Sequence, residues 1–91
     1  MDQTGPEKPE VTLYTTEPCG RCHRAKELLE ARGLVYSEVN LAKDPVGRRE
    51  LAKFTGRLTF PQIVIDGHPL GGFAELLEAD GRGELEQLSA A

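Results

Sequence analysis

The alternation of apolar and polar positions predicts four short strands. Residues 11–15 are rich in β-branched and aromatic side chains, a composition that favours a strand. Residues 34–41 alternate in polarity and predict a second strand of the same kind. Residues 62–66 and 68–70 predict two further strands, joined by Asp66-Gly67, a pair typical of a tight hairpin turn.

Helical spacing of the apolar side chains separates these strands. Between residues 20 and 32 apolar side chains recur every three or four positions, the period of an α-helix. A second helix is expected over residues 45–56, with Phe54 facing the core, and a third over residues 73–79. Residues 84–88 are expected to add a last helical turn.

The predicted order β-α-β-α-β-β-α indicates an α/β protein. Alternating strands and helices imply a parallel pair joined by a crossover helix, and the hairpin adds antiparallel strands. We therefore expect a four-stranded mixed sheet flanked by helices. Ninety-one residues suffice for one core, which we place in residues 11–88. Residues 1–10 are expected to form a disordered tail, and residues 89–91 a short C-terminal one.

Charge and composition limit the classes of function. The net charge is −4, and no dense stripe of lysine and arginine is present, so nucleic-acid binding is not expected. No apolar run approaches the roughly 20 residues that span a bilayer, so no membrane association is expected. The first ten residues lack the apolar stretch of a signal peptide, which predicts a cytoplasmic protein. We expect it to act as a monomer.

Cys19-Gly20-Arg21-Cys22 contains both cysteines of the chain, where a predicted strand gives way to a predicted helix. Two cysteines with this spacing at such a junction are typical of a redox dithiol. The unpaired N–H groups of a helix N-terminus stabilise a thiolate, which is the nucleophile in thiol–disulfide exchange. The Cys19 thiol is therefore expected to ionise more readily than that of free cysteine, and Cys22 to resolve the mixed disulfide.

Three other interpretations of the cysteine pair remain open. The pair could form a structural disulfide, although so short a loop gains little entropy. It could form half of a zinc site, with His23 and His68 as the other candidate ligands. Residues 19–23 also spell the pattern of covalent haem attachment, although the only methionine is Met1, a poor axial ligand.

Two further segments join the cysteines in a recognisable order: Thr59-Phe60-Pro61 before the third strand, and Gly71-Gly72 before the last predicted helix. Together the three segments resemble the glutaredoxin family of the thioredoxin superfamily, over nearly all of residues 11–88. The resemblance implies a thioredoxin-like fold. It also implies a glutathione-dependent thiol–disulfide oxidoreductase that reduces protein disulfides and glutathione mixed disulfides.

The resemblance assigns a role to each cysteine and to the proline loop. Cys19 would be the exposed nucleophile, and Cys22 the buried resolving thiol. Pro61 would be in cis, and the backbone of Phe60 would pair with the cysteinyl unit of glutathione. The residues expected to bind glutathione are Thr16, Arg21, Arg57, Thr59, Phe60, Pro61, Gly72 and Phe73.

The resemblance also implies where the charged ends of glutathione would bind. Gly72 and the N–H groups that open the last helix would hold the γ-glutamyl carboxylate, because helix N-termini bind anions. Arg57 would face the glycyl carboxylate, with Arg48 or Arg49 as further candidates.

The chain departs from the family pattern at Thr16, within the Cys19–Cys22 loop and at Ala74. Thr16 stands where the family usually has a lysine, and Arg21 restores one positive charge beside Cys19. Ala74 replaces the acidic residue that binds the substrate ammonium, and the adjacent Glu75 is expected to point elsewhere. These departures leave thioredoxin reductase or another small thiol as an alternative reductant.

Gly20 raises an alternative function. The family commonly has a proline after the first cysteine, and glycine relaxes the loop at that position. A dimer could then share a [2Fe–2S] cluster, with Cys19 and glutathione as ligands, and act as a cluster carrier or store.

Overall fold

The computed structural model describes residues 8–90, and its elements follow the order predicted from the sequence. The strands are β1 (Val11–Thr15), β2 (Tyr36–Asn40), β3 (Gln62–Ile65) and β4 (His68–Gly71). The helices are α1 (Gly20–Ala31), α2 (Pro45–Thr55), α3 (Phe73–Gly81) and α4 (Glu84–Ala90). Within this part of the chain no helix is long and apolar enough to cross a membrane.

The four strands form one mixed sheet in the order β2-β1-β3-β4. β1 and β2 are parallel and are connected through α1, as a parallel pair requires. β3 is antiparallel to both β1 and β4. The β3–β4 connection is the predicted hairpin, in which Asp66 and Gly67 both have positive φ (51° and 81°). The mixed four-stranded sheet is therefore confirmed.

The main core lies on one face of this sheet. Alternate side chains of β1 meet apolar side chains of α1, α3 and α4 there, in a cluster that includes Leu13, Leu29, Leu76 and Leu85. Tyr14, which follows Leu13 and so points to the opposite face, lines a groove with residues of α2. Helices therefore flank the sheet on both faces, as predicted.

Local signals in the sequence set the ends of α2. The Asp44 carboxylate accepts a hydrogen bond from the Gly47 N–H at 2.8 Å, and Pro45 occupies the first helical position. At the other end Gly56 is left-handed (φ 77°), and its N–H donates to the Ala52 carbonyl. These caps place α2 beside the loop that carries Pro61.

β2 is shorter than its polarity pattern predicts. Regular pairing with β1 covers only five positions, from Val11 opposite Tyr36 to Thr15 opposite Asn40, because β1 itself has five residues. Val35, expected within the strand, is exposed, and Leu34 is buried in the core before the strand begins. The apolar pattern of residues 34–41 therefore combines the strand itself with Leu34, which packs in the core before the strand begins.

Phe54 does not face the core as expected, because 55% of it is exposed. It lies in the last turn of α2 and lines a groove with Val39 of the edge strand β2. Leu51, one turn earlier, is buried. The helical period therefore predicted the correct side of α2, but the sheet ends before it covers the last turn.

The two ends of the domain differ from the expected tails. Glu10 is held by two reciprocal hydrogen bonds to Asp66, each 2.8 Å long. Helix α4 continues through Ser89 and Ala90, so these residues extend the last helix rather than a tail. The expected disorder of residues 1–7 and the last position of the C-terminal tail lie outside the described residues.

Candidate functional site

The cysteine pair lies at the N-terminus of α1, directly beyond the C-terminal end of β1. Cys19 is the N-cap residue, with an extended backbone, and its sulfur accepts a hydrogen bond from the Cys22 N–H at 3.1 Å. The first turn of α1 contains no acidic side chain. The helix dipole and the free N–H groups therefore favour negative charge at the Cys19 sulfur.

The two sulfurs form a disulfide, with 5.3 Å between the Cα atoms. Cys22 is only 3% exposed, whereas Cys19 is partly exposed. An external thiol or disulfide therefore reaches Cys19 first, and Cys22 can react only within the protein. Cys19 is therefore the accessible sulfur of the pair, and Cys22 the enclosed one.

A groove of about 390 Å³ opens beside the disulfide. Arg21, which lies between the two cysteines, forms part of its wall. Seven of the predicted glutathione-binding residues line it together: Arg21, Arg57, Thr59, Phe60, Pro61, Gly72 and Phe73. The Phe60–Pro61 peptide bond is cis, as the resemblance implies. We call this cavity the thiol groove.

Thr16 is the one predicted binding residue that is not part of the thiol groove. It directly follows β1, in the loop that leads to Cys19, and it is partly buried. Neither this groove nor the neighbouring one along α2 includes Thr16 among its lining residues. The position where the family usually has a lysine is therefore offset from the cavity itself.

Gln62 supports the proline loop and was not anticipated from the sequence. It is buried (2% exposed), and its side-chain amide donates hydrogen bonds to the carbonyls of Arg57 and Thr59, both at 3.0 Å. A buried amide that satisfies two loop carbonyls holds the backbone on both sides of Leu58 in place. The signal in the sequence was a polar residue at the start of an otherwise apolar strand.

Glu75 takes a position that the sequence did not predict. It was expected to point away from the site, yet its carboxylate accepts hydrogen bonds from the Gly72 N–H (2.8 Å) and from both terminal nitrogens of Arg57 (3.2 Å each). The reason is its place at the third position of α3, from which a glutamate reaches back to the N-cap N–H. Arg57 and Gly72, both expected to bind glutathione carboxylates, therefore hold an internal carboxylate here.

These contacts lower the pKa of the Glu75 carboxyl below its ordinary value of 4.5, mainly through the Gly72 N–H and then through Arg57. A lowered folded-state pKa stabilises the protein at pH values above 4.5, and the contribution is lost as the pH falls through the folded-state pKa. Glu75→Gln is therefore expected to lower the urea midpoint near pH 7. The difference from the wild type should shrink when the pH is lowered from 7 to a value below the folded-state pKa of Glu75. Urea titration at both pH values measures it.

Glu78→Gln is the matched control for this experiment, since it makes the same change at an exposed position of α3. It should leave the midpoint close to that of the wild type at both pH values. If the urea midpoint of Glu75→Gln lay below that of the wild type by the same amount at neutral and acidic pH, the lowered pKa of Glu75 would be contradicted. A side chain that contributes only through packing gives a difference that does not depend on pH.

A second carboxylate links α1 to the sheet. Glu38 of β2 accepts a hydrogen bond from the buried Thr15 hydroxyl at 2.8 Å and pairs with Lys26 of α1 at 3.0 Å. The Thr15 hydroxyl and then Lys26 lower the pKa of Glu38. This cluster ties α1 to the end of β1 and the middle of β2, and so helps to position the helix that begins at the cysteine pair.

Among residues 8–90 no group of three histidine, cysteine, aspartate or glutamate side chains is arranged to hold a metal ion. His23, a candidate zinc ligand, is exposed and pairs with Glu27 at 3.3 Å on the surface of α1. His68 is exposed at the start of β4.

Comparison with known proteins agrees with this geometry. The sequence profile of the glutaredoxin family matches residues 11–70. Glutaredoxin 3 of Escherichia coli strain K12 is 42% identical over 78 residues, which cover 86% of this chain and 94% of that protein.

Two solved structures share the fold. The solution structure of glutaredoxin from Brucella melitensis is 34% identical with a TM-score of 0.79, and the alignment covers 96% of this chain and 98% of that one. The crystal structure of a buckwheat glutaredoxin–glutathione complex is 26% identical, also with a TM-score of 0.79. The alignment covers 88% of this chain and 76% of the buckwheat chain.

Proposed function

This chain belongs to the glutaredoxin family, whose members are thiol–disulfide oxidoreductases. We propose that it is a glutathione-dependent enzyme of this kind. Its substrates would be protein disulfides and mixed disulfides of glutathione. The observation that carries the proposal is the asymmetric pair: a partly exposed Cys19 on a helix N-terminus, beside the thiol groove, with Cys22 buried behind it.

The proposed reaction moves two electrons from glutathione to the substrate. The Cys19 thiolate attacks one sulfur of the substrate disulfide, forms a mixed disulfide and releases the other sulfur as a thiolate, which takes a proton from water. Cys22, as thiolate, then attacks Cys19 and releases the second substrate thiol. Two glutathione molecules reduce the Cys19–Cys22 disulfide in turn and leave as glutathione disulfide. A mixed disulfide of glutathione needs only Cys19.

The thiol groove supports glutathione as the thiol that recycles the enzyme. Phe60, which precedes the cis Pro61, lines the groove, and a cysteinyl peptide unit would pair with its backbone there. The structural relative from buckwheat was crystallised with glutathione. Glutathione carboxylates would have to share Arg57 and the Gly72 N–H with Glu75. Because Ala74 carries no charge, Glu75 is the acid in this groove that can attract the substrate ammonium.

The competition from Glu75 leads us to expect a KM for glutathione in the upper part of the enzyme range, about 1 mM. The decisive experiment measures the reduction of a glutathionylated peptide with two regenerating systems. The first contains glutathione and glutathione reductase, and the second contains thioredoxin reductase without glutathione reductase. Turnover with the first system only is the expected result. Turnover with thioredoxin reductase alone would contradict glutathione dependence and favour the alternative reductant.

A [2Fe–2S] carrier is the second candidate, and it rests on Gly20. A side chain at this position would meet no other atom within 4 Å, so space is open above the loop next to Cys19. Two chains and two glutathione thiols would be needed to supply four ligands. Anaerobic reconstitution with iron, sulfide and glutathione tests this function, because a loaded dimer absorbs visible light and doubles the mass of the species.

For the oxidoreductase we propose a monomer in the cytoplasm. The reaction needs a dithiol that is kept reduced by the surrounding thiol pool, and the cytosol provides such a pool. The proposed function requires one chain only, since Cys19, Cys22 and the thiol groove all belong to it.

A further inference from the structure

A second and larger groove lies beside the thiol groove, on the side of the proline loop that faces α2. Its volume is about 650 Å³, within the range of sites that bind ligands. The lining residues are Pro45, Arg48, Arg49, Ala52, Lys53, Arg57, Leu58, Phe60 and Gln62. We call it the α2 groove. It is larger than one glycyl carboxylate requires.

The α2 groove concentrates positive charge in an acidic protein. Four of its lining side chains are basic, none is acidic, and the chain as a whole carries a net charge of −4. Within residues 8–90 no carboxylate lies at salt-bridge distance from Arg49, and Lys53 has only a 3.7 Å contact with the exposed Glu50. Arg57 is already paired with Glu75, whereas the Arg48 guanidinium, among the described residues, donates only to the neutral carbonyls of Leu41 and Ala42 and keeps its charge uncompensated there. The groove therefore attracts an anionic ligand mainly through Arg48, Arg49 and Lys53.

An apolar surface accompanies this charge. Leu58 is 82% exposed at the groove, next to the partly exposed Phe60. The two hydrogen bonds that Gln62 makes to the carbonyls on either side of Leu58 hold the backbone of this leucine in place. A ligand that fits this groove thus combines acidic groups with an apolar one.

The two grooves adjoin, because Arg57 and Phe60 line both of them. A peptide chain whose cysteine pairs with the Phe60 backbone in the thiol groove would continue past Phe60 into the α2 groove. We propose that the α2 groove binds the acidic, apolar segment that flanks the reactive cysteine of protein substrates. This inference rests on the proposed function and specifies its substrate class.

The test compares two symmetric peptide disulfides. In one, leucine and glutamate residues flank the cysteine on both sides, and in the other glutamine replaces each glutamate. Rates are measured with glutathione, glutathione reductase and NADPH. The acidic peptide is expected to have a kcat/KM about fivefold higher at low salt, and the ratio should approach one in about 0.5 M salt.

Lys53→Glu is expected to abolish the preference for the acidic peptide. Lys43→Glu is the matched control: it makes the same change in net charge at an exposed residue outside the α2 groove, and it should keep most of the fivefold ratio. Loss of the preference in Lys53→Glu alone supports the inference. Equal rates for both peptides, or equal effects of the two variants, would overturn it.

A glutathionylated small thiol, measured in parallel, separates the inference from the function on which it rests. If this substrate is turned over and the two peptides do not differ, only the α2 groove assignment fails. If no disulfide is reduced, the proposed function fails and the inference fails with it.

Discussion

Cys19→Ser is expected to lose disulfide reduction by about three orders of magnitude or more, because the accessible one of the two cysteine thiols is then gone. A serine hydroxyl at the same helix N-terminus stays protonated at neutral pH and does not attack sulfur. Cys22 is buried and cannot substitute for it. The measurement is the initial rate with a glutathionylated peptide and with a protein disulfide, each coupled to glutathione reductase.

Cys22→Ser is the matched control, because it removes one sulfur from the same pair. It should retain turnover of the glutathionylated peptide, which needs one thiol, and lose turnover of the protein disulfide, which needs the second thiol for resolution. Mass spectrometry of this variant should show the protein substrate trapped on Cys19. Activity that survives Cys19→Ser, or a variant Cys22→Ser that is inactive with both substrates, would refute these roles.

Leu13→Ala is expected to produce the largest loss of stability, about 3 kcal/mol in the free energy of unfolding. Leu13 is fully buried in β1, which pairs with β2 on one side and β3 on the other, and it packs in the main core cluster. Truncation there removes apolar contacts and leaves a cavity between sheet and helices. A domain of this size is held by roughly 5–15 kcal/mol, so the loss is a large share.

Urea denaturation followed by circular dichroism measures the effect as a lower midpoint with an unchanged slope. Leu58→Ala deletes the same atoms at the most exposed leucine of the described chain and should shift the free energy of unfolding by less than about 0.5 kcal/mol. Similar shifts for the two variants would contradict the core position of Leu13.

Short-range signals made most of the elements predictable. The strand at residues 11–15, the caps of α2 and the hairpin at Asp66-Gly67 each depend on side chains within a few positions, and all three are present as expected. The family resemblance supplied what local patterns do not contain, namely the cis bond before Pro61 and the association of three distant segments in one groove.

The deviations arise where a side chain depends on residues far away in the chain. The length of β2 follows from that of its partner β1, and the exposure of Phe54 follows from where the sheet ends. Glu75 was expected to point away from the site, yet it reaches back to the Gly72 N–H from the third position of α3, and Arg57, eighteen positions earlier, adds a contact that the sequence does not show.

By itself the sequence determined the element order and the dithiol at a helix N-terminus, because helical period, capping and the cysteine spacing are local properties. It also determined the family, because the three segments that carry the resemblance can be read in order along the chain. The tertiary structure decided which cysteine is accessible, which anion already occupies Arg57 and Gly72, and where the cations of α2 meet Leu58. Those features depend on burial and on charges brought together through space, and neither quantity is defined until the chain has folded.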